Sequence, residues 1–263
     1  MNILEQIVAV KQVEVAKAKA AVSVQELELS EFFHMPVNSL QKSLLSESSS
    51  GIIAEFKRAS PSKGDIHATA DISAVVKAYA NKGAAGISVL TDQSFFKARP
   101  EDFQFARLAV PHTPILRKDF MIDEYQLIEA KSWGADVILL IAACLSVSAV
   151  QRLARFARQL QLEVLLEIHS EEELAHICDE VNFVGVNNRN LKTFSVDTNT
   201  SIMLAPLISA DKIKISESGI STGIVMTELR RVGFQGFLIG ENFMKESDPA
   251  IAFARFVEQL EST

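Results

Sequence analysis

The stretch Ile52-Ile53-Ala54-Glu55-Phe56-Lys57-Arg58-Ala59-Ser60-Pro61-Ser62-Lys63-Gly64 begins as an apolar strand and ends as a turn. Strand side chains alternate between two faces, so Glu55 and Lys57 point the same way. An acid and a base at the mouth of a buried strand are costly unless they are paired or used. The segment therefore reads as a core strand that ends in chemistry.

Seven further runs follow it: Gly86–Leu90, Thr113–Arg117, Asp136–Ile141, Glu163–Ile168, Asn182–Val186, Lys212–Ser216 and Gly236–Ile239. Most are continuously apolar, as expected of parallel strands buried on both faces. Amphipathic segments separate them. Asp71–Lys82 places Ile72, Val75, Val76 and Tyr79 on one side, and Tyr125–Trp133, Val147–Leu160, Glu171–Cys178 and Ile220–Val232 behave similarly. Strand and helix alternating eight times predicts an α/β fold, a (β/α)8 TIM barrel over residues 51–263. A doubly wound sheet is the rival, but it usually carries a Gly-rich first turn, and neither GxGxxG nor GxxxxGK[ST] occurs. Residues 1–50 precede the eightfold pattern as a helical extension. Asn2–Val22 reads as a helix, Ser30 as the cap of a second short one, and Val37–Leu45 as a third. The extension could plug one end of the barrel or cover a substrate. Ser46–Ser50 is a linker, and no second domain is visible.

At 263 residues the chain suits one barrel, and 48% hydrophobic residues supply its core. A net charge of −7, with lysines and arginines dispersed, argues against nucleic acid or an anionic membrane as partner. It leaves room for a local basic pocket. Glu5, Lys11 and Glu14 interrupt any signal-peptide core, and the longest apolar run, Val137–Cys144, is too short to span a bilayer. A soluble, cytoplasmic protein is expected. Cys144 and Cys178 read as buried thiols in a reducing compartment. The five histidines show no metal-ligand spacing, so no metal is expected.

In such a barrel the active site lies at the C-terminal ends of the strands. There the chain offers Lys57, Lys118, Glu167, Asn187 and Glu217 from five different strands. One ionisable residue at a strand end is ordinarily a solvated loop residue, and Glu55 with Lys57 could be a structural ion pair. Convergence from five strands is what general acid–base catalysis requires. Glu167 follows Val164-Leu165-Leu166, so it either escapes to solvent or sits in an apolar pocket with a raised pKa. Asn187 and Asn188 could be turn formers. Phe56 and Phe120 stand out among mostly core phenylalanines because each adjoins a lysine or its neighbour, while Trp133 reads as core or a helix end. The turns Ser218-Gly219 and Gly240-Glu241 follow strands seven and eight, where barrels often hold phosphate. Glu241 would have to offer its backbone N–H there and turn its carboxylate away.

The segment Ala54–Gly64 resembles the signature of the indole-3-glycerol phosphate synthase family. Similar to the same family are Ile87–Asp92, Leu116–Phe120, Gly134–Ala142, Gly185–Leu191, Ser216–Ile220 and Leu238–Met244. The resemblance covers essentially the whole chain, extension included. It implies closure of an indole ring in tryptophan biosynthesis. In 1-(2-carboxyphenylamino)-1-deoxyribulose 5-phosphate a ring carbon attacks the C2 carbonyl, carbon dioxide leaves, and water follows. No cofactor is implied.

The resemblance also implies roles. Lys118 matches the general acid. Lys57 matches the cation that holds the departing carboxylate, and with Glu167 it matches the proton transfers of dehydration. Glu55 would orient the lysines, and two adjacent lysines would lower each other's pKa. Asn187 and Ser218 match polar contacts to substrate, with Glu217 and Phe120 lining the same region. Ser60, Gly219, Gly240 and the Glu241 backbone would hold the phosphate, with Lys63 on a flexible loop. Arg189 would pair with an acidic neighbour. One departure is clear: after strand two the family usually has an aromatic residue, one position, then Gly-Ser, whereas this chain has Phe95-Phe96-Lys97-Ala98-Arg99-Pro100. The implied partner is a phosphorylated small molecule, with other tryptophan-pathway enzymes as candidates, and a monomer is expected. Eight strands use up the chain, so a fused isomerase does not fit. The alternatives are a related barrel such as phosphoribosylanthranilate isomerase, and a catalytically inactive binding subunit. Isomerisation needs no cationic site for a leaving carboxylate, and intact Lys57, Lys118 and Glu167 argue against an inactive chain.

Overall fold

Eight parallel strands close into a barrel: β1 (Ile52–Phe56), β2 (Gly86–Leu90), β3 (Ile115–Lys118), β4 (Val137–Ile141), β5 (Glu163–Ile168), β6 (Phe183–Asn187), β7 (Ile213–Glu217) and β8 (Phe234–Ile239). Each pairs with its sequence neighbours, and β8 closes on β1 through Ile52 opposite Phe237. The computed structural model describes residues 3–191 and 193–261. Asn2, which the helical reading includes, lies outside the described residues. The β3 strand runs from Ile115 to Lys118, starting two residues and ending one residue later than the reading of Thr113–Arg117.

Period-two alternation sorts the strands into two cores. Ile53, Leu116, Leu139, Leu165, Ile215 and Leu238 fill the barrel interior. Ile52, Ala54, Phe56, Ile87 and Val89 pack outward on the helices. Phe56 therefore faces away from the site, beneath the Arg58 guanidinium 5.0 Å from its ring, which corrects its reading as a site neighbour.

The helices are α1 (Ile3–Ala21), α2 (Val24–Glu28), α3 (Leu40–Leu44), α4 (Ile72–Asn81), α5 (Gln93–Phe96), α6 (Asp102–Ala109), α7 (Glu124–Ser132), α8 (Val147–Gln159), α9 (Asn199–Leu204), α10 (Gly223–Arg231), α11 (Glu241–Met244) and α12 (Pro249–Glu261). Residues 171–176 form a 3-10 segment instead of an α-helix. The second short helix is capped by Ser23, not Ser30. Ser23 and Glu26 form a reciprocal capping box, while the Ser30 hydroxyl donates to the Ser132 carbonyl at 2.5 Å. Trp133 caps the end of α7, and the Arg117 guanidinium stacks 4.0 Å from its ring centre.

The extension reaches both ends of the barrel. Leu40 and Leu44 of α3 are buried in the interior core at the strands' N-terminal end. Glu163, at the start of β5, accepts the Leu40 and Gln41 N–H groups at 2.8 and 3.3 Å and so fixes α3 there. At the opposite end α1 lies over the barrel mouth. Its Lys11 is buried and paired with Asp92 and Asp119, each at 2.9 Å, and with Glu14 at 2.7 Å. Asp92 and Asp119 follow β2 and β3, so the cation rivets the extension to the rim that carries Lys118. Among the described residues no helix is long and apolar enough to cross a membrane. Cys144 and Cys178 are free thiols, each half-buried and so less enclosed than the sequence implied.

Candidate active site

A cavity of about 380 Å³ opens at the C-terminal ends of the strands. That size suits a small organic ligand. Ile3, Leu4 and Ile7 of α1 and the rings of Phe96 and Phe120, 6.2 Å apart, form an apolar wall. Glu55, Lys57, Lys118, Glu167, Asn187 and Glu217 form a charged floor. Ser60, Arg189, Ser218, Gly219, Gly240 and Glu241 line the rest of its mouth. Apart from Phe56, which faces outward, the strands thus bring together all but one of the residues singled out above. Lys63 is the exception: it stands exposed outside the wall, 3.6 Å from Glu241.

Alternation places Glu55 and Lys57 on the inner face, and Lys57 Nζ donates to Glu55 Oε1 at 2.8 Å. Lys118 Nζ lies between two carboxylates, 2.8 Å from Glu167 Oε2 and 3.2 Å from Glu217 Oε2. Asn187 Nδ2 donates to the other Glu167 oxygen at 3.1 Å. Each lysine therefore has its own carboxylate, and the depression expected of Lys118 does not occur. Burial alone would lower the Lys118 pKa, but Glu167, Glu217 and Glu55 outweigh it and hold the ammonium well above the usual lysine range.

The two carboxyl groups beside Lys118 diverge in proton affinity. Glu167 is not the raised acid. Burial would raise it, but Lys118 and His169 prevail and keep it well below the carboxylate range. Glu217 is raised, up to about 7, by burial and by the charges of Glu167 and Glu55, despite Lys118. Its Oε1 is buried with no hydrogen-bond partner. Two carboxyls on one lysine with divergent proton affinities are the arrangement that acid–base catalysis uses.

Glycines make room for this floor. A Cβ on Gly185 would strike the Glu217 carboxylate, and one on Gly240 would strike that of Glu55. After β7 the chain turns through two left-handed residues, Ser218 at φ 65° and Gly219 at φ 77°. Asn188 is more than a turn former. It is buried, donates to the Ser216 hydroxyl and the Ser218 carbonyl, both at 3.0 Å, and accepts from Ser201. Glu241 does not stand alone beside an anion site: Arg189 pairs with it at 3.2 Å, as expected of that arginine.

The Ser60–Gly64 tail is an antiparallel hairpin, Ala59–Ser60 against Gly64–Asp65. Arg58 anchors its base through Asp102 at 2.7 and 2.8 Å. The loop without glycine still folds. Asp92 accepts the Phe95 N–H at 2.7 Å, Lys97 adopts φ 53°, and its Nζ reaches Asp65 at 2.5 Å. The departure from the family pattern therefore ties this loop to the hairpin.

Two residues escaped the sequence reading. Lys245, after α11, lines the mouth near Gly240. His169 stands two positions beyond Glu167, and its Nε2 is 3.2 Å from Glu167 Oε1. The alternation that paired Glu55 with Lys57 would have paired these as well.

Fold and floor together define a (β/α)8-barrel enzyme of the acid–base type. A sequence profile of the family described as indole-3-glycerol phosphate synthase matches residues 4–256. The chain is 46% identical over 260 residues to an indole-3-glycerol phosphate synthase of Bacteroides thetaiotaomicron, covering 99% of each, and 40% identical over 258 residues to one of Polaromonas sp., covering 97% of each. Among solved structures, the fold is similar to a tryptophan synthase complex of Pyrococcus furiosus (TM-score 0.61, 18% identity, 82% of this chain and 99% of that one). It is also similar to 3-hexulose-6-phosphate synthase of Salmonella typhimurium (TM-score 0.63, 10% identity, 81% and 99%). At those identities the structures speak for the barrel alone. The chain belongs to the indole-3-glycerol phosphate synthase family, and it is a carboxy-lyase of tryptophan biosynthesis.

Proposed function

We propose that the charged floor closes the indole ring of 1-(2-carboxyphenylamino)-1-deoxyribulose 5-phosphate, with Lys118 as general acid. The observation that carries this role is the position of Lys118 Nζ between Glu167 and Glu217 on the cavity floor. A ring carbon attacks the C2 carbonyl, and Lys118 protonates the oxygen as the new carbon–carbon bond forms. Lys57, held by Glu55, faces the carboxylate until it departs as carbon dioxide, and the electrons of the broken bond restore the ring. In dehydration an ammonium protonates the leaving hydroxyl and a carboxylate takes the ring proton, with Lys57 and Glu167 in these roles. Glu217, raised to about 7 by burial and its carboxylate neighbours, suits the return of a proton to Lys118.

Phe96, Phe120 and the α1 side chains suit the aromatic half of the substrate. Ser60 and the Ser218-Gly219 and Gly240-Glu241 turns suit the phosphate at the mouth, and Asn187 suits the sugar hydroxyls. Arg189 and Lys63 balance the Glu241 charge there. In this reading residues 1–50 are a helical extension that completes the pocket of a catalytic barrel, 51–263. A barrel that covers its own cavity suits a monomer. A charged substrate that membranes hold back suits a cytoplasmic setting beside other enzymes of the pathway.

The test is direct. Purified protein is incubated with the carboxyphenylamino sugar phosphate, and indole-3-glycerol phosphate is followed by its fluorescence. Turnover is expected. Tight substrate binding without product would instead support an inactive binding subunit, and turnover of phosphoribosylanthranilate would support the isomerase reading.

A further inference from the structure

His169 stands against the floor, and the ring-closure chemistry gives it no task. It follows β5 directly, and its side chain is largely buried. Nε2 lies 3.2 Å from Glu167 Oε1, and Nδ1 lies 3.4 Å from Glu173 Oε2. The Nε2 contact is a charge contact, since it lacks the direction of a hydrogen bond. Glu173 is itself fixed, because its Oε2 accepts the His169 backbone N–H at 2.6 Å. The ring is thus held between two carboxylates and does not line the substrate cavity.

Charge balance gives this position meaning. The floor holds three carboxyl groups, Glu55, Glu167 and Glu217, around two ammonium groups, Lys57 and Lys118, and each ionisation of Glu217 leaves it one positive charge short. A cationic His169 is the third positive charge. It touches the Glu167 oxygen that Lys118 does not. We propose that His169 is a positioning residue for the ring closure, an imidazolium clamped by Glu173 that keeps the Glu167 carboxylate charged and aimed at Lys118. This rests on the acid–base reading of Lys118 and Glu167 given above.

The groups that face the ring support it. Glu167 and Glu173 come from its own strand and the following 3-10 segment. The Cys144 thiol, after β4, feels both carboxylates, and with burial they push it up to about 12, so it stays neutral. From β6, Asn187 adds a neutral donor to Glu167, and Lys118 and Glu217 lie beyond it on β3 and β7. Burial opposes the imidazolium, but the two carboxylates outweigh it and raise the ring to about 9. Without that charge, Glu167 binds a proton more readily and loosens its hold on Lys118.

The test has a kinetic and a spectroscopic arm. His169→Gln keeps the size and a donor but not the charge. It is expected to move the acid limb of the kcat profile upward by about one pH unit, so that kcat on that limb falls about tenfold while kcat near pH 7 changes little, with KM within about twofold. Glu173→Gln, which reaches the floor only through His169, should move the limb the same way by less. A merely structural role would lower kcat equally at every pH. In the NMR titration of the parent protein, the His169 ring should titrate near 9, and in Glu173→Gln it should fall toward 6.5. A His169 that titrates below about 7, or an unmoved acid limb in His169→Gln, overturns the proposal. If the parent lacks synthase activity, the ring-closure reading fails by itself, and the titration still decides whether the imidazolium exists.

Discussion

Glu217→Gln tests the charge logic of the floor without asking for activity. The glutamine copies a protonated Glu217 in shape and removes its titration. In the folded protein Glu217 is raised to about 7, because burial and the neighbouring carboxylates disfavour its charge. In the unfolded chain it titrates at the ordinary value of about 4.3. The sign follows from linkage: a group whose folded pKa is raised stabilises the fold at low pH, and that stability is lost as pH rises through the folded pKa. The shift is worth about 4 kcal/mol in all, lost between about pH 4.3 and pH 7, and about 3 kcal/mol of it is lost above pH 5. Glu217→Gln has no such loss, so relative to the parent it should gain about 3 kcal/mol above pH 5 as that loss completes. Urea unfolding of both proteins at pH 5 and pH 8.5 reads the difference, and in melting temperature the gain would be about 6–12 °C. The variant should also lose activity, since the gain comes from removing a strained functional charge. A gap between variant and parent that is the same at both pH values would refute the reasoning.

Lys11→Met removes the cation shared by Asp92 and Asp119 and leaves both carboxylates buried; a cost of about 3–5 kcal/mol and a raised KM are expected by denaturation and kinetics at pH 7. Asp119 is held below its usual range by Lys11 and Arg117 against the pull of burial, so its stabilisation is present above about pH 4 and lost as pH falls further. The cost of Lys11→Met should therefore shrink in acid. Gly240→Ala pushes on the Glu55 carboxylate, and kcat should fall at least about tenfold while the far-UV circular dichroism spectrum is unchanged. Leu40→Ala opens a hole in the bottom plug; urea unfolding should show a loss of about 2–5 kcal/mol with kcat within about twofold.

The barrel was legible because buried parallel strands write themselves as short apolar runs, and all eight were placed within about two residues at each end. The 171–176 segment was misread because Leu174 and Ile177 carry a helical spacing that the Glu171–Glu173 run does not complete as an α-helix. Ser30 offered the right residue type for a cap, but Ser23 had the glutamate three positions on that Ser30 lacks. At the site, strand alternation and strand ends named residues that line one cavity floor. Proton affinities were not legible. Which of Glu167 and Glu217 is raised depends on how Lys118 divides itself between them and on a histidine from a loop, distances that no spacing encodes. The reach of α1 over the mouth was equally hidden, since it depends on Lys11 finding two aspartates about 80 and 108 positions away.

The most direct test of the central claim is the single-turnover rate of ring closure in Lys118→Ala. With substrate saturating, the account predicts a loss of at least about 10²-fold relative to the parent, because the carbonyl oxygen has lost its proton donor. Ring closure at a rate near that of the parent would contradict the placement of the general acid at Lys118.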